Sequence, residues 1–122
     1  MKICISGSRD FKSLYKIKTV LAKLPTDTII IHGSARGVDM EADSSARQLG
    51  LQVEVYPADW DKYGKSAGHI RNKEMVIKCD GLIAFWDGTS KGTAGAIQCA
   101  KELGKPVAIY KDEIDSRQEE II

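Results

Sequence analysis

Three short stretches of this chain carry residue types that could hold an anion. Residues 33–37, Gly-Ser-Ala-Arg-Gly, join an apolar run to a helical pattern. Such a junction offers unpaired backbone amides at the positive end of a helix dipole. Gly33, Ser34, Arg36 and Gly37 are therefore candidates for a phosphate or carboxylate cradle. The same composition also suits a tight turn with no ligand. Asp39, in the first helical turn, can satisfy the same dipole and compete with a bound anion. Residues 87–93, Asp-Gly-Thr-Ser-Lys-Gly-Thr, form the second stretch. Gly88 and Gly92 bracket Thr89, Ser90 and a lysine, and Thr93 opens the following helix. Small residues there let backbone approach a ligand, although helix–sheet packing favours them too. The third stretch, Gly7-Ser8-Arg9, ends the first apolar run.

A longer connection, residues 57–72, has the size of a functional lid. Trp60 and Tyr63 could stack on a base, and Arg71 and Asn72 could reach a phosphate or a sugar. Taken singly, Trp60 also reads as a hydrophobic plug. Arg71 lies near a helix start, where a cation is electrostatically misplaced unless an anion is bound.

Other chemistries are not supported. Gly64-Lys65-Ser66 matches the end of a P-loop, but Asp59 stands where that motif begins with glycine, and no buried strand precedes it. No G-x-G-x-x-G follows the first strand. His32 ends an apolar strand and reads as a core residue, and with His69 it makes no metal set. No metal and no cofactor is assigned. No carboxylate pair has the spacing of an acid–base couple, so no residue is assigned as catalytic. If the chain is an enzyme, the candidates are Arg71, Asp39 and Asp87.

Alternating strand and helix patterns must position these residues. Strands are expected at 2–6, 28–32, 52–56, 82–86 and 106–110. A helix is expected from Phe11, with Leu14, Ile17, Leu21 and Leu24 inward and Pro25 as its stop. A second carries Val38, Ala42, Ala46 and Leu49 on one stripe and ends at Gly50. A third, near 67–78, is suggested by Ile70, Glu74 and Ile77, with Met75 and Val76 beside them. The last, near 92–103, places Ile97, Ala100 and Leu103 inward before Gly104 and Pro106. This alternation predicts a three-layer α/β/α Rossmann-like fold around a five-stranded parallel sheet of order 3-2-1-4-5. Ligands in such sheets bind beyond the strand carboxyl ends, where the winding reverses. The three glycine-bearing stretches fall at that rim.

The 122 residues suit one domain spanning 1–122, with a core over about 2–110 and a charged tail at 111–122. Eighteen basic residues against seventeen acidic ones give a net charge of +1, which disfavours a nucleic-acid coat. Cys4, Cys79 and Cys99 are odd in number and widely spaced, as in reduced and mostly buried thiols. With no signal-peptide pattern and no apolar stretch of membrane length, a cytoplasmic protein with no membrane partner is expected.

The stretches "HGSARGVDMEADSSARQLG", "HIRNKEM" and "GTSKGTAGAIQCAKELGKPVAIY" together resemble the SLOG superfamily. "GSARGVD" is similar to the G-G-A-R-G-I-D of Smf/DprA proteins, and "IRN" to their R-N-R. The last stretch is similar to DprA and to the Lonely-guy phosphoribohydrolases, with their P-G-G-x-G-T-x-x-E. The opening "GSRDF" and the later "FWDGTSKGT" fit the small stand-alone YspA-like branch best. This resemblance runs over about residues 3 to 110. It implies a Rossmann-like fold that binds nucleotides or their derivatives, and a homodimer paired through helices. The chain departs from the enzymes at one place. Counting from Thr93, their glutamate falls at Ala96, and alanine can neither stabilise a cationic sugar nor activate water. Arg71 matches their arginine.

Three functions follow as expectations. The leading one is binding or sensing of a phosphorylated nucleoside or nucleotide-like small molecule, with loop amides, Arg9, Arg36 and Arg71 on phosphate and Trp60 over the base. An N-glycosidase or phosphoribohydrolase is disfavoured by Ala96. DprA-like binding of single-stranded DNA is disfavoured by size and charge.

Overall fold

A computed structural model describes residues 1–112, so the expectation for the distal tail lies outside the described residues. Five strands form one sheet: β1 (Lys2–Gly7), β2 (Ile29–His32), β3 (Gln52–Val55), β4 (Gly81–Phe85) and β5 (Val107–Tyr110). Their order is β3-β2-β1-β4-β5 and every pairing is parallel. The helices are α1 (Tyr15–Leu21), α2 (Val38–Gln48), the single turn α3 (Trp60–Tyr63), α4 (Ala67–Lys78) and α5 (Lys91–Glu102).

The apolar runs of the central strands feed two cores at once, because alternate residues point to opposite faces. Ile3 and Ile5 of β1, Ile30 of β2, and Ile83 and Phe85 of β4 pack with α1 and α2. Cys4, Ile31, Leu82 and Ala84 pack beneath α4 and α5. The expected α2 stripe is realised, with Val38, Ala42 and Ala46 fully buried, and Gly50 ends the segment at φ 77°. The first turn of α2 lies so close to β1 that a Cβ on Gly7 would stand 2.5 Å from both Val38 methyls.

Three helix expectations are corrected. α1 begins at Tyr15, not Phe11. The intervening chain is tied to distant residues instead of to a helix ladder: the Lys12 amide and Ser13 hydroxyl donate to Asp112 at 2.9 and 2.6 Å. Phe11 still reaches the core, edge-on to Phe85. In α4 the inward face runs through Ala67, Gly68, Arg71, Asn72, Met75 and Val76, while Ile77 is 52% exposed and Glu74 faces solvent. This turns Arg71 and Asn72 towards the protein. In α5 the buried residues are Thr93, Ala96, Ile97 and Ala100, and Leu103 is exposed. Of the cysteines, Cys4 and Cys79 are buried and Cys99 is half-buried.

The end of α4 is held by an unusual cap. Lys105 Nζ donates to the carbonyls of Val76, Ile77 and Cys79 at 2.6–2.7 Å. It satisfies orphan acceptors with a cation at the negative end of the dipole.

Candidate functional site

The winding reverses between β1 and β4, and a concavity opens beyond their carboxyl ends. It is a cleft of about 640 Å³, within the span of about 300–1,000 Å³ usual for small-molecule sites. Its walls come from the β1–α1 loop (Gly7, Arg9, Asp10), the inward face of α4 (Gly68, Arg71, Asn72), and the start of α5 (Ser90 to Thr93). Asp39, Trp60, Asp87 and Thr89 line it as well. Most of the anticipated residues therefore meet in one place.

The β2–α2 loop plays a different part from the cradle anticipated for Gly33, Ser34, Arg36 and Gly37. Three of its amides are already engaged. Gly33 and Ala35 both donate to Asp39 Oδ2, at 3.1 and 3.2 Å, and the Ser34 amide donates to His32 Nδ1 at 3.0 Å. The competition from Asp39 has been decided in its favour. Ser34 adopts φ 56°, a left-handed conformation uncommon outside glycine, and these flanking bonds hold it there. His32 is buried and satisfied at both nitrogens: Nδ1 accepts from Ser34, so Nε2–H donates to Asp43 Oδ1 at 2.8 Å.

What the loop does is seat two arginines from elsewhere. A Cβ on Gly33 would lie 2.6 Å from Cζ of Arg71, so the bare glycine makes room for that guanidinium. Gly37, at φ 82°, abuts the β1–α1 loop, where a Cβ would stand 2.6 Å from the Arg9 carbonyl oxygen. Gly33, Ser34 and Arg36 line a smaller hollow beside the cleft, and Gly37 lines neither.

Arg71 is half-buried and well tethered. Nη1 donates to the Gly33 carbonyl and, at 3.5 Å, to that of Tyr56; Nε donates to Asn72 Oδ1 at 2.8 Å. Burial weakens its hold on the proton relative to a free guanidinium, the Asp39 carboxylate opposes that loss, and the Arg9 charge adds to it. Arg9 and Arg71 are thus two like charges brought within each other's field. No ion pair among the described residues involves Arg9.

The 87–93 loop is also partly self-satisfied. Asp87 Oδ1 accepts from the Thr89 and Ser90 amides, at 2.9 and 2.8 Å, and from the Thr89 hydroxyl. These amides hold the Asp87 carboxyl below its ordinary range. Ser8, offered as a binding residue, is buried: its amide donates to the Phe85 carbonyl and its Oγ accepts from the Asp87 amide, both at 3.0 Å. It joins the two loops and is absent from the cleft lining, as is Gly88. At the start of α5, Ser90 caps with no side-chain bond, and the amides of Lys91, Gly92 and Thr93 have no acceptor among the described residues. The Thr93 hydroxyl, buried, lines the cleft beside them.

Several lining residues escaped the sequence reading: Asp10, Gly68 and His69. For Gly68 a signal existed, since it lies three residues before Arg71 on one helix face. The indole of Trp60, 55% exposed, rests against it, 3.5 Å from where a Cβ would be. No group of three or more His, Cys, Asp or Glu that could hold a metal occurs among the described residues.

Asp39 carries a consequence for stability. Burial raises its carboxyl above the ordinary 3.8, against the pull of the Ala35 amide, His32, Arg71 and the Gly33 amide. A raised folded value means that its contribution is fully present below about pH 3.8 and is lost as pH rises through the folded value. Asp39→Asn removes this titration. Urea midpoints should show wild type losing ground to the variant as pH rises from 3.8 towards neutrality; parallel profiles would contradict the assignment.

Residues 1–63 match the YAcAr family model, described as the YspA, cpYpsA-related SLOG family. The chain belongs to that family. The match holds Arg9, Gly33, Asp39 and Trp60, whereas Arg71 and the α5 start of this SLOG chain lie beyond it. The Gene 61 protein of Mycobacterium phage D29 is 38% identical over 121 residues, covering 91% of this chain and 97% of its own. DNA processing protein A from Helicobacter pylori, described for its single-stranded DNA binding mode, is similar in structure with a TM-score of 0.70. That match is 19% identical and covers 98% of this SLOG chain and 72% of the other, a likeness of fold. No helix among the described residues is long and apolar enough to cross a membrane.

Proposed function

We propose that the cleft binds a phosphorylated nucleoside or a related nucleotide-derived small molecule. One observation carries this reading: Arg9 and Arg71 converge on one concavity, and no anion among the described residues is paired to Arg9. Like charges gathered this way repel, and a phosphoryl group that accepts from both guanidiniums offsets the repulsion. The unpaired amides at the α5 start and the Thr93 hydroxyl supply further donors. Trp60 supplies an aromatic face at the mouth, suited to a base. The role first given to the amides of all three loops passes to the two arginines and α5.

Binding is favoured over glycosidic cleavage because Ala96 is buried and apolar where the resembling hydrolases have their glutamate. The DNA processing protein similarity raises single-stranded DNA as a second reading. A net charge of +1 disfavours it.

A panel of nucleoside mono-, di- and triphosphates, cyclic nucleotides and nucleotide sugars separates these readings. Ligand at about 100 times its Kd should stabilise the fold by about 2.7 kcal/mol and raise the unfolding temperature accordingly. The stabilising nucleotide should be recovered intact by chromatography. No shift across the panel would defeat the proposal. Steeply salt-dependent affinity for an oligonucleotide, without a nucleotide shift, would favour the strand instead.

A further inference from the structure

The hollow beside the cleft has a volume of about 460 Å³. The two share Arg9, Ala35, Trp60 and Arg71, so they adjoin across these residues. Their charge differs sharply. The cleft is lined by three carboxylates, Asp10, Asp39 and Asp87, along with its cations. Among the described residues, the hollow is lined by Arg9, Arg36 and Arg71 and by no carboxylate.

Arg36 lines the hollow alone, is exposed, and takes part in no ion pair among the described residues. Three guanidiniums around one concavity focus a positive potential there. The amides of Gly33, Ser34 and Ala35 are not free for an anion in the hollow, because Asp39 and His32 hold them. Recognition in it falls chiefly to the side-chain forks, whose planar donors match phosphoryl oxygens. A single phosphate at the Arg9–Arg71 pair would leave Arg36 unengaged.

We infer that the ligand carries two linked phosphoryl groups, one in the cleft and one in the hollow against Arg36: a nucleoside diphosphate or an ester of one. This rests on reading the cleft as a nucleotide site. Arg9 and Arg71, lining both concavities, would lie between the two groups.

Calorimetric titration of the intact chain with adenosine, guanosine, cytidine and uridine mono- and diphosphates tests the inference. For the base that binds, the diphosphate should be tighter than the monophosphate by about tenfold or more, as one added Arg–phosphate contact allows. Arg36→Ala should erase that difference by weakening the diphosphate. Arg36→Lys, which keeps charge but not the fork, should recover only part of it. Equal mono- and diphosphate affinities in wild type would overturn the inference and leave the nucleotide reading standing. So would an Arg36→Ala variant that, with an unchanged unfolding temperature, weakened both by one factor. Absence of binding by any of them, with or without capture of a short oligonucleotide, would overturn the inference, and the nucleotide reading falls with it only if the wider panel also gives no shift.

Discussion

Arg71→Ala is expected to abolish most of the nucleotide-dependent rise in unfolding temperature. Two hydrogen bonds from a charged donor, each worth about 1.5–3 kcal/mol, correspond to a loss of about a hundredfold or more in affinity. The substitution also removes a structural donor. The Gly33 and Tyr56 carbonyls and Asn72 Oδ1 all accept from this guanidinium, so the unliganded protein should lose about 1–3 kcal/mol as well. The decisive quantity is therefore the ligand-induced shift within each variant, not the absolute unfolding temperature. Arg71→Lys sharpens the test. An ammonium cannot donate to Gly33 and Asn72 while also presenting a fork to phosphate, so affinity should stay low even where charge is retained. A ligand-induced shift of wild-type size in Arg71→Ala would remove this side chain from the site.

The depth at which Arg71 sits was hidden from the sequence for a definite reason. Helix periodicity is read from large apolar residues, and in α4 Ile70 and Ile77 suggest a stripe whose Ile77 end the structure turns outward. The true inward face is built from a glycine, an arginine and an asparagine before it reaches Met75 and Val76. Polar inward residues break the pattern where the site is made, as expected where function overrides local consistency. Elsewhere pattern and packing agree. The continuous apolar runs of β1, β2 and β4 are buried on both faces, the α2 stripe is buried as spaced, and the strand order follows from short right-handed crossovers. The convergence of the glycine loops at one rim was legible for the same reason. Which acceptor takes each loop amide was not. Whether Asp39 or a ligand receives Gly33 and Ala35 depends on how far α2 settles beside β2, a tertiary quantity that residue spacing does not contain.

Gly33 provides the second large effect, and it separates the seating role of its loop from ligand contact. Its backbone is not in the left-handed region, so alanine is conformationally acceptable there. The added methyl would meet the far end of the Arg71 side chain, 2.6 Å from Cζ and 2.7 Å from Nε. A flexible side chain can move where backbone cannot, so the guanidinium should be displaced while the fold persists. Restricting the unfolded chain offsets part of the lost bonding, since Gly→Ala at a compatible site contributes about 0.4–1 kcal/mol. Gly33→Ala should thus lose less stability than Arg71→Ala yet bind nucleotide nearly as poorly. The two substitutions remove one interaction, so the double variant should be little worse than Arg71→Ala alone, with a coupling energy of about 0.5–3 kcal/mol. Additive losses would mean that Gly33 acts on the ligand directly, through close backbone approach. Undiminished binding in Gly33→Ala would mean that Arg71 serves equally well from another position, and that the loop is a turn with no part in recognition.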